Sequence, residues 1–139
     1  MTLDLGRLMD RSEEIWESSI LPSLSDFIGI KALSPLFEPN WAEMGELDAT
    51  IELFCDWLDD QGIEGMSYEK HRIGELSPVL IVTIEGTGPG EVIFYSHLDK
   101  QPSKPELWSE GLHPLKAVRR DPWLYGRGSV DDGYGGYLC

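Results

Sequence analysis

Gly62 divides this chain into two kinds of hydrophobic pattern, and that division limits the fold more than any other feature. Before it, apolar residues recur at the three-to-four spacing of a helix face. After it they come in short runs bounded by Gly and Pro, as strands do. Leu5, Leu8, Met9, Ser12, Ile15, Trp16, Ser19 and Ile20 predict a first amphipathic helix, which Leu21-Pro22 should end. A connection punctuated by Pro35 and Pro39 follows. Asn40 with Glu43 reads as a capping box opening a second helix, with Leu47, Ile51, Phe54, Cys55 and Leu58 on its apolar face and Gly62 as its C′ residue.

Beyond Gly62, Tyr68 to Ile73 predicts a weak strand and Pro78 to Ile84 a stronger, continuously apolar one. Gly86-Thr-Gly-Pro-Gly90 is a turn, and Val92-Ile-Phe-Tyr95 predicts a second buried strand leading into Ser96-His97-Leu98-Asp99. Leu115–Val118 and Trp123–Tyr125 flank Arg119-Arg-Asp-Pro122 and predict a hairpin. Two helices followed by several strands make an α/β or α+β layer, without repeats or an internal linker. At 139 residues the chain fits one domain, able to bury about two-thirds of its unfolded surface.

With 25 acidic residues against 11 basic ones, the net charge is −14, which leaves no basic stripe for a phosphate backbone. Nucleic acid is therefore not expected as a partner. Metal cations suit such a surface, as does plain solubility. The longest aliphatic stretch, Val79 to Ile84, falls far short of the about 20 residues that span a bilayer, so no membrane partner is expected. The start, Met1-Thr-Leu-Asp-Leu-Gly-Arg, lacks the order of a secretory leader. Two cysteines, a core Cys55 and the last residue Cys139, make no disulfide framework, so a cytoplasmic location is expected. The glycine-rich stretch from Gly126 to Cys139 reads as the entry to another element, and a truncated chain is expected.

His97-Leu-Asp99 follows an apolar strand, where open α/β sheets place ligand sites. A neutral imidazole there can ligate a divalent metal while a carboxylate two residues on fixes its tautomer. Alone the pattern is weak: with three histidines and 25 acidic residues, chance supplies about half of one such match. For an isolated His-x-Asp, a loop histidine in a hydrogen-bond network is the commoner explanation. Asp131-Asp132 lies in a glycine-rich turn, where adjacent carboxylates repel unless a cation or strong donors sit between them; solvated turn residues are the plain alternative. Asp59-Asp60, at a helix end, is a surface pair. His71 and His113 are expected away from any site, and Trp108, Trp123 and Tyr125 are expected to pack.

The arrangement as a whole says more. Val92-Ile-Phe-Tyr-Ser-His-Leu-Asp-Lys-Gln-Pro102, Trp108, and Leu124-Tyr-Gly-Arg-Gly-Ser-Val-Asp-Asp-Gly133 strongly resemble the dinuclear zinc exopeptidase and deacylase family. That family includes acetylornithine deacetylase, succinyl-diaminopimelate desuccinylase, carboxypeptidase G and the carnosine-type dipeptidases. Its signatures are an apolar strand ending in H-x-D-x-x-P, and L-Y-G-R-G-x-x-D-[D/N/M]-K-G. The Leu33-Ser-Pro-Leu-Phe37 segment and the helix from Trp41 also look like its amino-terminal region. Two departures stand out: Gly133 replaces the lysine after the Asp pair, and Lys100 stands where many members have valine.

The resemblance implies a mixed sheet flanked by helices, with residues 1–139 as the amino-terminal, incomplete portion of a catalytic domain. It also implies that His97 ligates one metal, Asp131 bridges two through a cis Asp131–Asp132 peptide, and Asp99 orients His97. The metals would be two divalent ions, zinc first and cobalt or manganese as alternatives. The expected activity is hydrolysis of an amide or peptide bond in a small peptide or N-acyl amino acid. The family's Glu-Glu pair, its further carboxylate, its distant histidine and its inserted dimerisation domain match nothing in the chain. The 139 residues alone are therefore expected to be inactive, and the longer parent to be a homodimer. Two rivals stand beside this reading: a non-catalytic acidic metal-binding or protein-interaction module, and a catalytically dead paralogue.

Overall fold

The computed structural model describes residues 4–131 and 133–138. Asp4 caps the first helix, its Oδ1 accepting from Arg7 N at 3.2 Å. Helix α1 spans Leu5–Ile15, a π-helical turn Trp16–Ile20 follows, and α2 continues over Leu21–Gly29. The expected stop at Leu21-Pro22 does not occur. Pro22 lacks an N–H and would crowd the carbonyl four residues back. The preceding turn widens instead, with Leu21 N bonding to Trp16 O, so the proline sits in the first turn of α2. The expected apolar face is also shifted along the chain. Leu5, Leu8 and Met9 are exposed, and burial begins at Ile20 and runs through Leu24, Phe27 and Ile28.

The second helix is split as well. α3 covers Trp41–Met44, Gly45 takes a left-handed conformation at φ 68°, and α4 runs Glu46–Gln61 to the left-handed Gly62. The capping box does not form: Asn40 makes no side-chain cap, and its N–H donates to Glu38 Oε1. The main core joins α2 and α4 to the short helix α5, Gly135–Leu138. Tyr137 stands edge-on to Phe54 (5.1 Å) and Trp57 (4.7 Å), and its hydroxyl pairs with Ser23 Oγ at 2.9 Å. Ala32, Trp41 and Leu47 form a second cluster.

β1 (Met66–His71) and β2 (Val79–Ile84) pair antiparallel from Met66↔Ile84 to His71↔Val79. Lys70–Glu52 (2.6 Å) and Arg72–Asp48 tie this hairpin to α4, and Met66, Tyr68 and Leu80 touch the core. β3 (Val118–Arg120) and β4 (Trp123–Tyr125) form the expected second hairpin, but its first strand lies later than Leu115–Val118, with Arg119 and Arg120 in the ladder and not in the turn. Its Arg119 reaches Glu17 at 2.6 Å. The class is thus a partial α/β domain, with its described strands in two two-stranded sheets.

Two strand expectations need correction. β2 is largely exposed: of its residues only Leu80 packs against the core, and the ribbon has no further layer over it among the described residues. Val92–Tyr95 is not a strand and is not buried; all four residues are exposed, Ile93 at 89%. Strand-forming residues need a ladder partner to become a strand, and β2 pairs only with β1. Trp123, expected to pack, is exposed too. No helix among the described residues is long and apolar enough to cross a membrane.

Candidate functional site

Two loops meet at the carboxyl-terminal end of α2. The first carries His97 and Asp99 and ends in Lys100, whose backbone makes a short parallel bridge with the chain around Leu33. Lys100 N donates to Ala32 O at 2.8 Å, and Ser34 N donates to Lys100 O at 2.9 Å. The second loop runs from Gly126 to Asp131. Its glycines lie so close to α2 that a side chain has no room there: a Cβ at Gly128 would meet Phe27 Cε1 at 2.6 Å, and one at Gly133, just past the loop, would meet the same atom at 2.1 Å. Gly128 also adopts φ 92°, which favours glycine. Arg127 N holds the loop to Pro114 O at 2.7 Å.

His97 Nδ1 lies 3.0 Å from Asp99 Oδ1 and 3.0 Å from the Asp99 carbonyl. Both are acceptors, so the neutral tautomer that satisfies them carries its hydrogen on Nδ1, and in that tautomer Nε2 offers a lone pair to a cation. Nε2 faces Asp131 Oδ1 at 3.6 Å, and the other oxygen of Asp131 lies 3.7 Å from Arg127 Nη2. His97 and Asp99 are about one-third exposed and Asp131 more so, which leaves the pair open to solvent. A bare imidazole nitrogen and a carboxylate oxygen are donors suited to zinc. Their separation is close to the about 3.4 Å that two ligands at about 2.1 Å span across a tetrahedral angle. They are two donors only. Among the described residues, no group of three or more His, Cys, Asp or Glu side chains comes together as a metal-ligand set. Asp132 and Cys139 lie outside the described residues, and with Asp132 the expected cis Asp131–Asp132 peptide.

The other titratable residues keep to local contacts. His71 Nε2 is 3.0 Å from Glu69 on the exposed hairpin, and His113 Nδ1 accepts from Leu115 N at 3.1 Å. Asp59 accepts from the Tyr68 hydroxyl at 3.1 Å. Cys55 is buried, and that burial pushes its thiol pKa up, as suits a core residue.

Lys100 has a larger part than sequence reasoning gave it. Only 2% exposed, it donates from Nζ to the carbonyls of Phe27 (2.6 Å), Ile30 (2.5 Å) and, at longer range, Ile28 (3.4 Å). It also lies 4.0 Å from the centre of the Phe27 ring. Burial pushes its amine down to about 7, with Glu46 opposing and Arg127 adding to the shift. The signal in the sequence was the lysine itself, placed directly after His-x-Asp. Phe27 gave none, being one apolar helix residue among several.

No protein-family model matches the chain. A succinyl-diaminopimelate desuccinylase from Rickettsia felis is 28% identical over 109 residues, covering 78% of this chain and 26% of that protein. The crystal structure of human carnosine dipeptidase 1 superposes with a TM-score of 0.64 at 22% identity, over 88% of this chain and 27% of that one. The chain therefore spans about a quarter of the length of these relatives. Both are named as hydrolases of C–N bonds, and the structural likeness shows the fold.

Proposed function

We propose, from the premise that this chain is of the zinc exopeptidase and deacylase family, that it supplies the His97–Asp131 part of a metal-dependent hydrolase of amide or peptide bonds. One observation carries this reading: His97 Nε2, freed by the hold of Asp99 on Nδ1, faces the Asp131 carboxylate at 3.6 Å. In it, residues 1–139 are the amino-terminal portion of a catalytic domain in a longer cytoplasmic, homodimeric enzyme. The substrate is a small peptide or an N-acyl amino acid.

His97 and Asp131 would hold metal, with zinc as the first choice and cobalt or manganese as alternatives. When bound, the metal pair supplies Lewis acidity and a water of lowered pKa. Asp99 accepts the Nδ1 proton of His97, fixes the tautomer and makes the ring a better donor. Arg127, beside the outer oxygen of Asp131, steers the inner oxygen towards His97. Gly128 and Gly133 let the backbone on either side of Asp131 lie directly against Phe27.

Titration of the 139-residue chain with Co²⁺ or Zn²⁺, followed by calorimetry, tests the pair. His97→Ala and Asp131→Ala should each weaken binding about 10-fold or more, whereas Asp60→Asn in the surface pair should leave it unchanged. Equal affinities in all four proteins would overturn the metal-site reading and favour a diffuse acidic surface.

A further inference from the structure

The carboxyl-terminal turn of α2 touches both loops of the site, and one side chain links all three. Lys100 leaves the His97–Asp99 turn one residue after Asp99 and runs its stem beneath Gly128, where an added Cβ would come within 3.0 Å of Cε. Its amine ends among the carbonyls of Phe27, Ile28 and Ile30. The Phe27 carbonyl also accepts from Ile30 N at 3.1 Å, and the Lys100 amine adds N–H donors to carbonyls at a helix end, where intrahelical partners run out. The ring of Phe27, lying under the amine, is the surface against which Gly128 and Gly133 close. The backbone of Lys100 is fixed independently, by Ala32 O and Ser34 N. Ala32 itself sits at φ 37°, a left-handed conformation unusual for alanine, which turns its carbonyl towards Lys100.

We propose that Lys100 is the positioning residue of the candidate site: by clamping the His97–Asp99 turn to the end of α2, against which the Gly126–Asp131 loop also packs, it sets the register of His97 against Asp131. The inference rests on the reading of His97 and Asp131 as a metal-binding pair, but its geometric content does not depend on metal. A lysine that merely filled space would leave the His97 ring where it is when replaced by a side chain of equal length. A clamp would not.

The test compares the 139-residue chain with its Lys100→Met and Lys100→Arg variants by two measurements. The first is the His97 tautomer in metal-free protein, from ring ¹⁵N shifts under conditions where the ring is neutral. The wild-type ring should carry its hydrogen on Nδ1; Lys100→Met should show a mixture, and Lys100→Arg should recover most of the single form. The second is Co²⁺ affinity, expected to fall about 10-fold or more in Lys100→Met and to be largely restored in Lys100→Arg. A folded Lys100→Met variant that keeps one tautomer and a Co²⁺ affinity within about twofold of wild type would overturn the proposal. Should Lys100→Met not fold, Lys100→Gln, which keeps a donor and most of the stem, faces the same two criteria. If His97→Ala leaves Co²⁺ affinity unchanged, the metal reading fails by itself, and the tautomer alone then decides for or against the clamp.

Discussion

The α2–α4–α5 centre and the stretch from β2 to Tyr95 are built from similarly apolar residues and meet opposite fates. Leu24, Phe27 and Ile28 are at most 1% exposed, whereas Val92, Ile93, Phe94 and Tyr95 are between 67% and 89% exposed. Hydrophobicity does not separate them; the availability of neighbours does. A helix satisfies its own backbone and needs only one packed face, which α2 finds against α4 and α5. An apolar strand must find a hydrogen-bonding partner along its edge before its side chains have a layer to join. The candidate site lies where the two regions join, so His97 enters from the unpacked side and is held by the packed one.

The sharpest way to break that contrast is to remove the ring at the join. Phe27→Ala should destabilise the chain by about 3–5 kcal/mol. The ring is buried against Lys100, Gly128 and Gly133, and those backbones cannot collapse into the space. Phe94→Ala, with the same atoms removed from an exposed position, should change stability by no more than about 0.5 kcal/mol. Urea melts of the two variants measure the difference directly. Equal losses would mean that Phe94 is packed in solution.

A smaller effect probes the electrostatics of the packed side. Folding lowers the Lys100 pKa from an ordinary 10.5 to about 7, so between those values the unfolded chain holds a proton that the folded chain releases. For this group, stability is greatest above about pH 10.5, falls as the pH drops through the window and levels off below about 7. The stability of wild type relative to Lys100→Met should therefore rise from pH 7 towards pH 10 in urea melts. A difference that stays flat with pH would show that the amine keeps its proton in the fold.

Much of this arrangement was legible in the sequence, and what was not has a common cause. Helical periodicity placed Phe54, Cys55 and Leu58 in the core, Gly62 at a helix end and the hairpin around Arg119–Pro122, because each follows from local chemistry. The family resemblance carried by the two motifs singled out His97, Asp99 and Asp131, and the structure brings these three together. Local patterns failed where a partner outside the window decides. Pro22 continues a helix because a π turn absorbs it, Gly45 interrupts one that looked continuous, and Val92–Tyr95 has strand residues without a ladder. Lys100 was visible as an oddity, but its role depends on carbonyls some 70 residues earlier in the chain.

The smallest change in folding stability should come from the exposed side, with its consequence in association. Val92-Ile-Phe-Tyr95 combines β-branched and aromatic residues, carries no charge or proline, and projects its side chains into solvent. Val79, Ile81, Val82 and Ile84 of the nearby ribbon are exposed as well, so apolar surface is not confined to one segment. An unpaired run of this composition is a template for strand pairing with another molecule. The 139-residue chain should accordingly self-associate at micromolar concentration, with a sedimentation profile that broadens as concentration rises. Ile93→Lys places a charge in the middle of the run, at the residue with the greatest exposure. It should shift that profile towards monomer while altering the urea midpoint by no more than about 0.5 kcal/mol, since no buried contact is lost. An Ile93→Lys variant that associates as strongly would place the contact elsewhere, as on the exposed residues of β2, and a monodisperse monomer in wild type would show that the apolar run is covered within the chain itself. The contrast between the two regions would then be one of strand pairing alone and not of burial.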